Sequence, residues 1–282
     1  MSIADKTLVP GTLVRIAAAV HRLVAPNASL MTGPGTNSYV LGDPGVAVLD
    51  PGPDEPAHLE RLAAAAPGLR LVFVTHTHPD HSRGARALAA ATGASVVGLP
   101  PPADGRQDDT CVPTIHPADG EIFVLSPAIR LRAIHTPGHA SNHVCYLLEE
   151  ESLLFSGDQV LDGVTPVILP PDGDMRAYID SLQRLKTCSL HAIAPGHGHV
   201  LTDPVSVIDG VIAHRARREA KVLAALNEAG RAQLDELLPK VYDDVRRELL
   251  PIARLQLEAH LIKLVRDGRA ALDGDCWLSC RE

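Results

Sequence analysis

Apolar and polar residues alternate along this chain with two different periods, and the change of period divides it. From the N-terminus to about residue 200 the apolar runs are short and bounded by Gly- and Pro-rich turns. "SYVLG" (38 to 42), "VAVLD" (46 to 50), "LRLVFVT" (69 to 75), "ASVVG" (94 to 98), "EIFVL" (121 to 125), "IRLRAIH" (129 to 135), "HVCYLLE" (143 to 149) and "SLLFSG" (152 to 157) are each predicted to be strands. Helical spacing predicts helices in "EPAHLERLAAAA" (55 to 66), "SRGARALAAAT" (82 to 92) and "DMRAYIDSLQRL" (174 to 185), the last opened by acidic residues that suit a helix N-terminus. Strands and helices mixed in this way predict an α/β or α+β sandwich with helices covering sheets.

After the Asp-Pro turn in "LTDPVS" (201 to 206) the period becomes helical. "VIDGVIAHRARREAKVLAALN", "AQLDELLPKVY" and "PIARLQLEAHLIKLVRDG" read as three helices, and "RAALDGDCWLSC" reads as a hairpin around Asp273-Gly274. Three helices and a hairpin in this order give a winged helix, so two domains are expected, residues 1 to 205 and 206 to 282. Trp277, the one tryptophan, is expected in the core of the smaller domain.

A chain of 282 residues with 45% hydrophobic content can bury a sizeable core. No apolar run is long enough to span a bilayer and the start of the chain lacks a signal-type pattern, so a cytoplasmic protein without membrane attachment is expected. Five cysteines with no CxxC pair read as reduced thiols. The net charge of −8 is uneven: residues 206 to 282 balance 13 basic against 13 acidic side chains, so the acidic excess lies in the first domain. That excludes a uniformly basic surface for gripping nucleic acid.

The chemistry concentrates in "LVFVTHTHPDHSRG" (71 to 84). His76 and His78 are two apart, so an extended segment points both the same way. Pro79 then breaks the strand, and Asp80 and His81 in the following turn can face a neighbouring point. Two adjacent metals are the natural reading, because imidazole and carboxylate are the ligands that zinc takes. One loop cannot close two sites. Three further strand-to-turn junctions offer His139 in "TPGHASNH", Asp158 in "FSGDQV" and His197 in "APGHGH", each beside a glycine.

H-x-H-x-D-H, followed by His in a TPGH turn, Asp in SGD and His in PGHG, resembles the metallo-beta-lactamase superfamily over roughly residues 10 to 200. The resemblance implies an α+β fold, an αβ/βα four-layer sandwich, with one metal on His76, His78 and His139, a second on Asp80, His81 and His197, and Asp158 bridging the two. The implied cofactors are two divalent metal ions, with zinc expected. Two such ions bring the pKa of a shared water towards neutrality, which implies a hydrolase in which Asp80, the catalytic candidate, also orients the water. "VLDPG" around Asp50 matches a further family element, a carboxylate near the histidine ligands; a turn aspartate capping the Pro-Gly bend is the equal alternative.

With "MTGPGTNSYVLG" near the start, "HR..RE" after the last ligand and a winged helix at the end, the chain is similar to the beta-lactamase-like protein branch that includes an endoribonuclease acting on single-stranded RNA. That resemblance implies single-stranded RNA as substrate. A small or carrier-bound thioester, as in enzymes resembling glyoxalase II, is the alternative, and a metal-sensing DNA-binding regulator is a third. "HRARREAK" offers Arg215, Arg217, Arg218 and Lys221 either to phosphates near the cleft or, with Glu219 among them, to solvent. The expected recognition helix carries Arg254, Lys263, Arg266 and Arg269, a modest set for duplex DNA. His135 is read as packed, while His143 and His199 are candidates for lining the cleft without an assigned catalytic role.

Overall fold

The computed structural model describes residues 8 to 103 and 105 to 280. Four strands open the chain, β1 (Leu13–Ala17), β2 (Val20–Val24), β3 (Asn37–Gly42) and β4 (Gly45–Leu49), followed by α1 (Pro56–Ala65) and β5 (Leu71–Phe73). The histidine loop leads into the one-turn helix α2 (Pro79–Ser82), then α3 (Gly84–Thr92) and β6 (Ser95–Val97). These six strands form one sheet in chain order, antiparallel as far as β4 and parallel thereafter. A second sheet has the order β11-β10-β9-β8-β7, built from β7 (Ile122–Ser126), β8 (Ile129–His135), β9 (Val144–Leu148), β10 (Leu153–Gly157) and β11 (Ala192–Pro195), with α4 (Met175–Leu185) between the last two. The sequence reading did not assign β1 and β2, because the alanine run at 17 to 19 that joins them blurs the two-residue period.

Alternation along the strands explains the layers. On β8, Leu131 and Ala133 point inward with Tyr39, Leu49 and Phe73 of the first sheet and Tyr146 and Phe155 of the second, forming the inter-sheet core. The opposite face of β8 carries exposed Arg130 and Arg132 and then buried Ile134, which joins Leu147, Leu154 and Ile193 beneath Tyr178, Leu182 and Leu185 of α4. On the first sheet, Val40, Val48 and Val72 are covered by Leu59 and Leu62 of α1 and Leu88 of α3. The result is the expected four-layer sandwich with helices outside two packed sheets.

The remainder is α5 (Pro204–Ala229), β12 (Arg231–Ala232), α6 (Leu234–Val241), α7 (Leu250–Arg266), β13 (Ala270–Asp273) and β14 (Cys276–Ser279). The hairpin gains a third strand, since β12 pairs with β14. Trp277 packs with Leu226, Leu237, Leu257, Leu261 and Leu264 in the core of this small domain. The expected boundary at 205 falls in the first turn of α5, which runs unbroken through both bodies: Ile208 and Val211 pack under the second sheet, whereas Val222 and Leu226 belong to the small core. Helix α7 also faces the sandwich, where Ala259 joins the cluster around α4 and ion pairs link Arg266 to Asp174 and Arg176 to Asp267. Among the described residues no helix is long and apolar enough to cross a membrane.

Candidate metal centre

Each motif histidine or aspartate leaves the end of a strand and turns into one edge of the sandwich. His76 and His78 follow β5 in extended backbone, and their rings meet with His76 Nε2 2.9 Å from His78 Nδ1. Rather than an irregular turn, Pro79 occupies the first position of α2, where its missing N–H costs nothing. The helix carries Asp80 and His81 away from the first pair: His81 Nε2 lies 3.5 Å from Asp80 Oδ2 and 3.3 Å from His197 Nε2. His139 Nε2 stands 2.9 Å from His78 Nδ1 and 3.6 Å from Asp158 Oδ2, while Asp158 Oδ1 lies 3.3 Å from His81 and 3.5 Å from His197. All seven side chains converge, with Asp158 between two groups, His76, His78 and His139 on one side and Asp80, His81 and His197 on the other.

The supporting hydrogen bonds fix which nitrogen each ring presents. His139 Nδ1 donates to the Val167 carbonyl at 2.7 Å and His197 Nδ1 to the Gly35 carbonyl at 3.2 Å, so both turn an unprotonated Nε2 inward when neutral. The Thr75 hydroxyl donates to Asp50 Oδ2 and therefore accepts from His76 Nδ1. His81 Nδ1 donates to the same Asp50 oxygen at 2.9 Å. Asp50 also accepts the Thr75 amide at 2.7 Å, so its carboxylate orients the histidines and does not cap the Pro-Gly bend.

Electrostatics agree with this arrangement. Burial, reinforced by neighbouring imidazoles, lowers His76 well below its ordinary pKa and brings His78 to about 3; burial likewise lowers His139. Three neutral imidazole nitrogens face one another at hydrogen-bonding distance. Burial opposes charge on His81 and His197 too, but the Asp80 and Asp158 carboxylates outweigh it and raise both. Burial also disfavours the charge on Asp80, yet His81 and His197 hold it at about 2. Asp158 Oδ1 is buried without a hydrogen-bond donor. Converging lone pairs and a buried carboxylate oxygen without a donor are the chemistry that a divalent cation satisfies, so the donor set fits two metal ions.

Glycines make the approach possible. A Cβ on Gly196 would lie 2.6 Å from His81 and 2.7 Å from Asp158 Oδ1. Gly138 serves differently: a Cβ there would meet the Tyr178 backbone of α4 at 2.3 Å, so it lets the turn carrying His139 lie on that helix. The segment at 35 to 39 locks the turn carrying His197, since Asn37 donates to the Pro195 and Gly198 carbonyls and the Tyr39 hydroxyl to Pro195. Neither cleft-lining candidate lines the cavity at the centre. His143 is fully buried and accepts the Asp158 amide through Nε2, and His199 lies exposed outside it. His135 is half-buried against the Pro117 carbonyl.

Sequence reasoning missed a cavity of about 380 Å³ where the two domains meet. Asp158 lines it together with Met31, Leu161, Val164 and Val167 from the sandwich and Tyr242, Ile252 and Ala253 from the small domain. "HRARREAK" divides between its two readings: Arg215 is buried against this cavity and Arg218 lies over the Tyr242 ring, whereas Arg217 and Lys221 face solvent. The signals were the apolar run "GVTPVILPP" and the helical spacing of Arg215 and Arg218, but only the fold sets them opposite each other. The four cations of the expected recognition helix are engaged with Asp235, Glu219, Asp267 and Asp174.

Comparison with known proteins agrees with this geometry. Residues 31–197 match the metallo-beta-lactamase superfamily and residues 234–277 the beta-lactamase associated winged helix domain. The chain is 31% identical over 281 residues to a beta-lactamase-like protein 2 homolog of Drosophila melanogaster, covering 93% of this chain and 92% of that one. It is also 31% identical over 277 residues to an atrochrysone carboxyl ACP thioesterase of Aspergillus chevalieri, covering 92% and 85% respectively. A beta-lactamase domain protein from Burkholderia ambifaria superposes with a TM-score of 0.81 at 19% identity, over 98% of this chain and 96% of that one.

Proposed function

The chain belongs to the metallo-beta-lactamase superfamily and is a metal-dependent hydrolase; from that premise we propose that it hydrolyses an acyl thioester whose acyl group sits in the interdomain cavity. The observation that carries this reading is the lining of the cavity: aliphatic side chains from both domains lead directly to Asp158. Single-stranded RNA is the weaker candidate, because a groove for it needs aromatic faces on which bases stack. Of the eight aromatic residues, seven are buried, and the eighth, Phe123, is half-buried on β7 at the far edge of the second sheet. An aliphatic thiolate, with a pKa near 8.5, also leaves without protonation more readily than an alkoxide.

His76, His78 and His139 would hold one ion, and Asp80, His81 and His197 the other, with Asp158 shared. When bound, zinc or another divalent ion supplies Lewis acidity and lowers the pKa of water at the site. The protein supplies the rest. Asp80 keeps its charge at neutral pH, and its partly exposed carboxylate stands beside His81 and His197, which suits it to orient water rather than to take its proton. Asp50, Val167 and Gly35 hold the histidine tautomers, and the aliphatic part of the cavity wall gives the acyl group an apolar seat. Hydrolysis then adds water across the C–S bond and releases a carboxylic acid and a thiol. Purified metal-loaded protein should release thiol from acyl N-acetylcysteamine thioesters, with kcat/KM rising as the acyl chain lengthens to fill the cavity. Cleavage of labelled single-stranded RNA with all thioesters left intact refutes this reading and favours the ribonuclease.

A further inference from the structure

One side chain of the interdomain cavity has no partner of the kind its charge demands. Arg215 is 3% exposed, and its guanidinium lies 5.4 Å from the Tyr178 ring centre. Its hydrogen bonds go to neutral acceptors, the Pro166 carbonyl and Gln256 Oε1, and its Nε has none. Among the described residues no carboxylate forms an ion pair with it, although Arg218 one turn on is paired with Asp244. Beside it, His214 also lines the cavity with Nδ1 unpartnered. A buried cation without an anion is costly, and proteins normally pair it or neutralise it. Arginine cannot be neutralised by losing its proton. The open approach for the missing anion is the cavity that Arg215 itself lines.

We propose that Arg215 is an anion-binding residue of the substrate cavity and that the substrate carries a carboxylate or phosphate oxygen to it, in addition to the bond that is cleaved at the metal centre. This rests on the thioester reading above and narrows it to anionic thioesters. The anion has two sources, a second carboxylate on the acyl chain or the phosphate of a phosphopantetheine-type thiol arm. The exposed Arg246 at the same cavity suits either approach from solvent.

The test is titration calorimetry of the metal-loaded protein and of Arg215→Met with glutarate and, separately, with 4′-phosphopantetheine. A charge-assisted hydrogen bond of this kind is expected to make at least one probe bind about 10- to 100-fold more weakly to the variant. Loss for glutarate assigns the carboxylate source, and loss for phosphopantetheine the phosphate. Arg215→Lys, which keeps the charge but not the planar fork, should fall between the two proteins and serves where the methionine variant does not fold. Affinities within twofold of wild type for both probes in every folded variant overturn the proposal. In parallel, the ratio of kcat/KM for glutaryl over pentanoyl N-acetylcysteamine thioester should drop in the variants when the carboxylate is the source. Arg215-dependent anion binding without thiol release from any thioester would keep the anion site and refute the thioesterase reading instead.

Discussion

The two oxygens of Asp50 take three donors, the Thr75 amide, the Thr75 hydroxyl and His81 Nδ1, and through Thr75 they also set the tautomer of His76. Its backbone is left-handed at φ 49°, a conformation that asparagine tolerates at least as well as aspartate. Asp50→Asn therefore isolates the charge from the turn. Metal affinity is expected to fall about 10- to 100-fold while the fold persists, measured by competition with a chromophoric chelator; undiminished affinity would mean that His81 is held by packing alone. His76→Ala should lose bound metal and hydrolysis together, read by metal analysis alongside turnover, and full occupancy with full activity would remove His76 from the ligand set. The candidate ligands were legible because each follows a strand in a short motif. The role of Asp50 was not, since a Pro-Gly bend suits either reading and its partners are 25 and 31 positions away.

At the level of elements, α5 and α7 are joined by a half-buried ion-pair group: Glu219 meets Lys263 Nζ at 2.9 Å, and Lys263 also reaches Asp267. Burial raises the Glu219 pKa, but His260 and Lys263 outweigh it and bring the group from its ordinary 4.5 to about 2. Because the folded-state value is the lower one, the stabilisation is complete well above pH 4.5 and is lost as pH falls towards 2. After screening by solvent it is worth on the order of 1 kcal/mol. Urea melts of the metal-free protein should show Glu219→Gln less stable than wild type at pH 7, with the gap closing from about pH 5 down to about pH 2; a gap independent of pH would contradict this. Periodicity located all three helices of the small domain, but not that α7 turns a face to α4. Its cations were read as a modest set for duplex DNA, and only the positions of Asp174 and Glu219 in space show them to be paired.

For the molecule as a whole, seven inward donors from four parts of the sandwich make metal binding part of folding stability. Chelation should lower the melting temperature of the wild type by several degrees and that of His76→Ala by less, as followed by calorimetry; equal shifts would place the stabilising ion elsewhere. The layers and the order of the two domains were readable from period and turn residues. The cavity between them was not, because its walls come from separate segments around Met31, Val164, Arg215 and Ile252 that no local pattern connects. The unbroken α5 has a practical consequence for anyone who wishes to exchange the tail among relatives. Val211 lies under the sheet and Val222 in the small core on the same rod, with Arg215 between them. A graft joined at residue 230 would keep the old Arg215 and bring in a foreign roof, whereas one joined before Asp203 transfers the roof, the rod and the arginine as a set. Chimaeras cut at the second point are the ones in which specificity should travel with the tail.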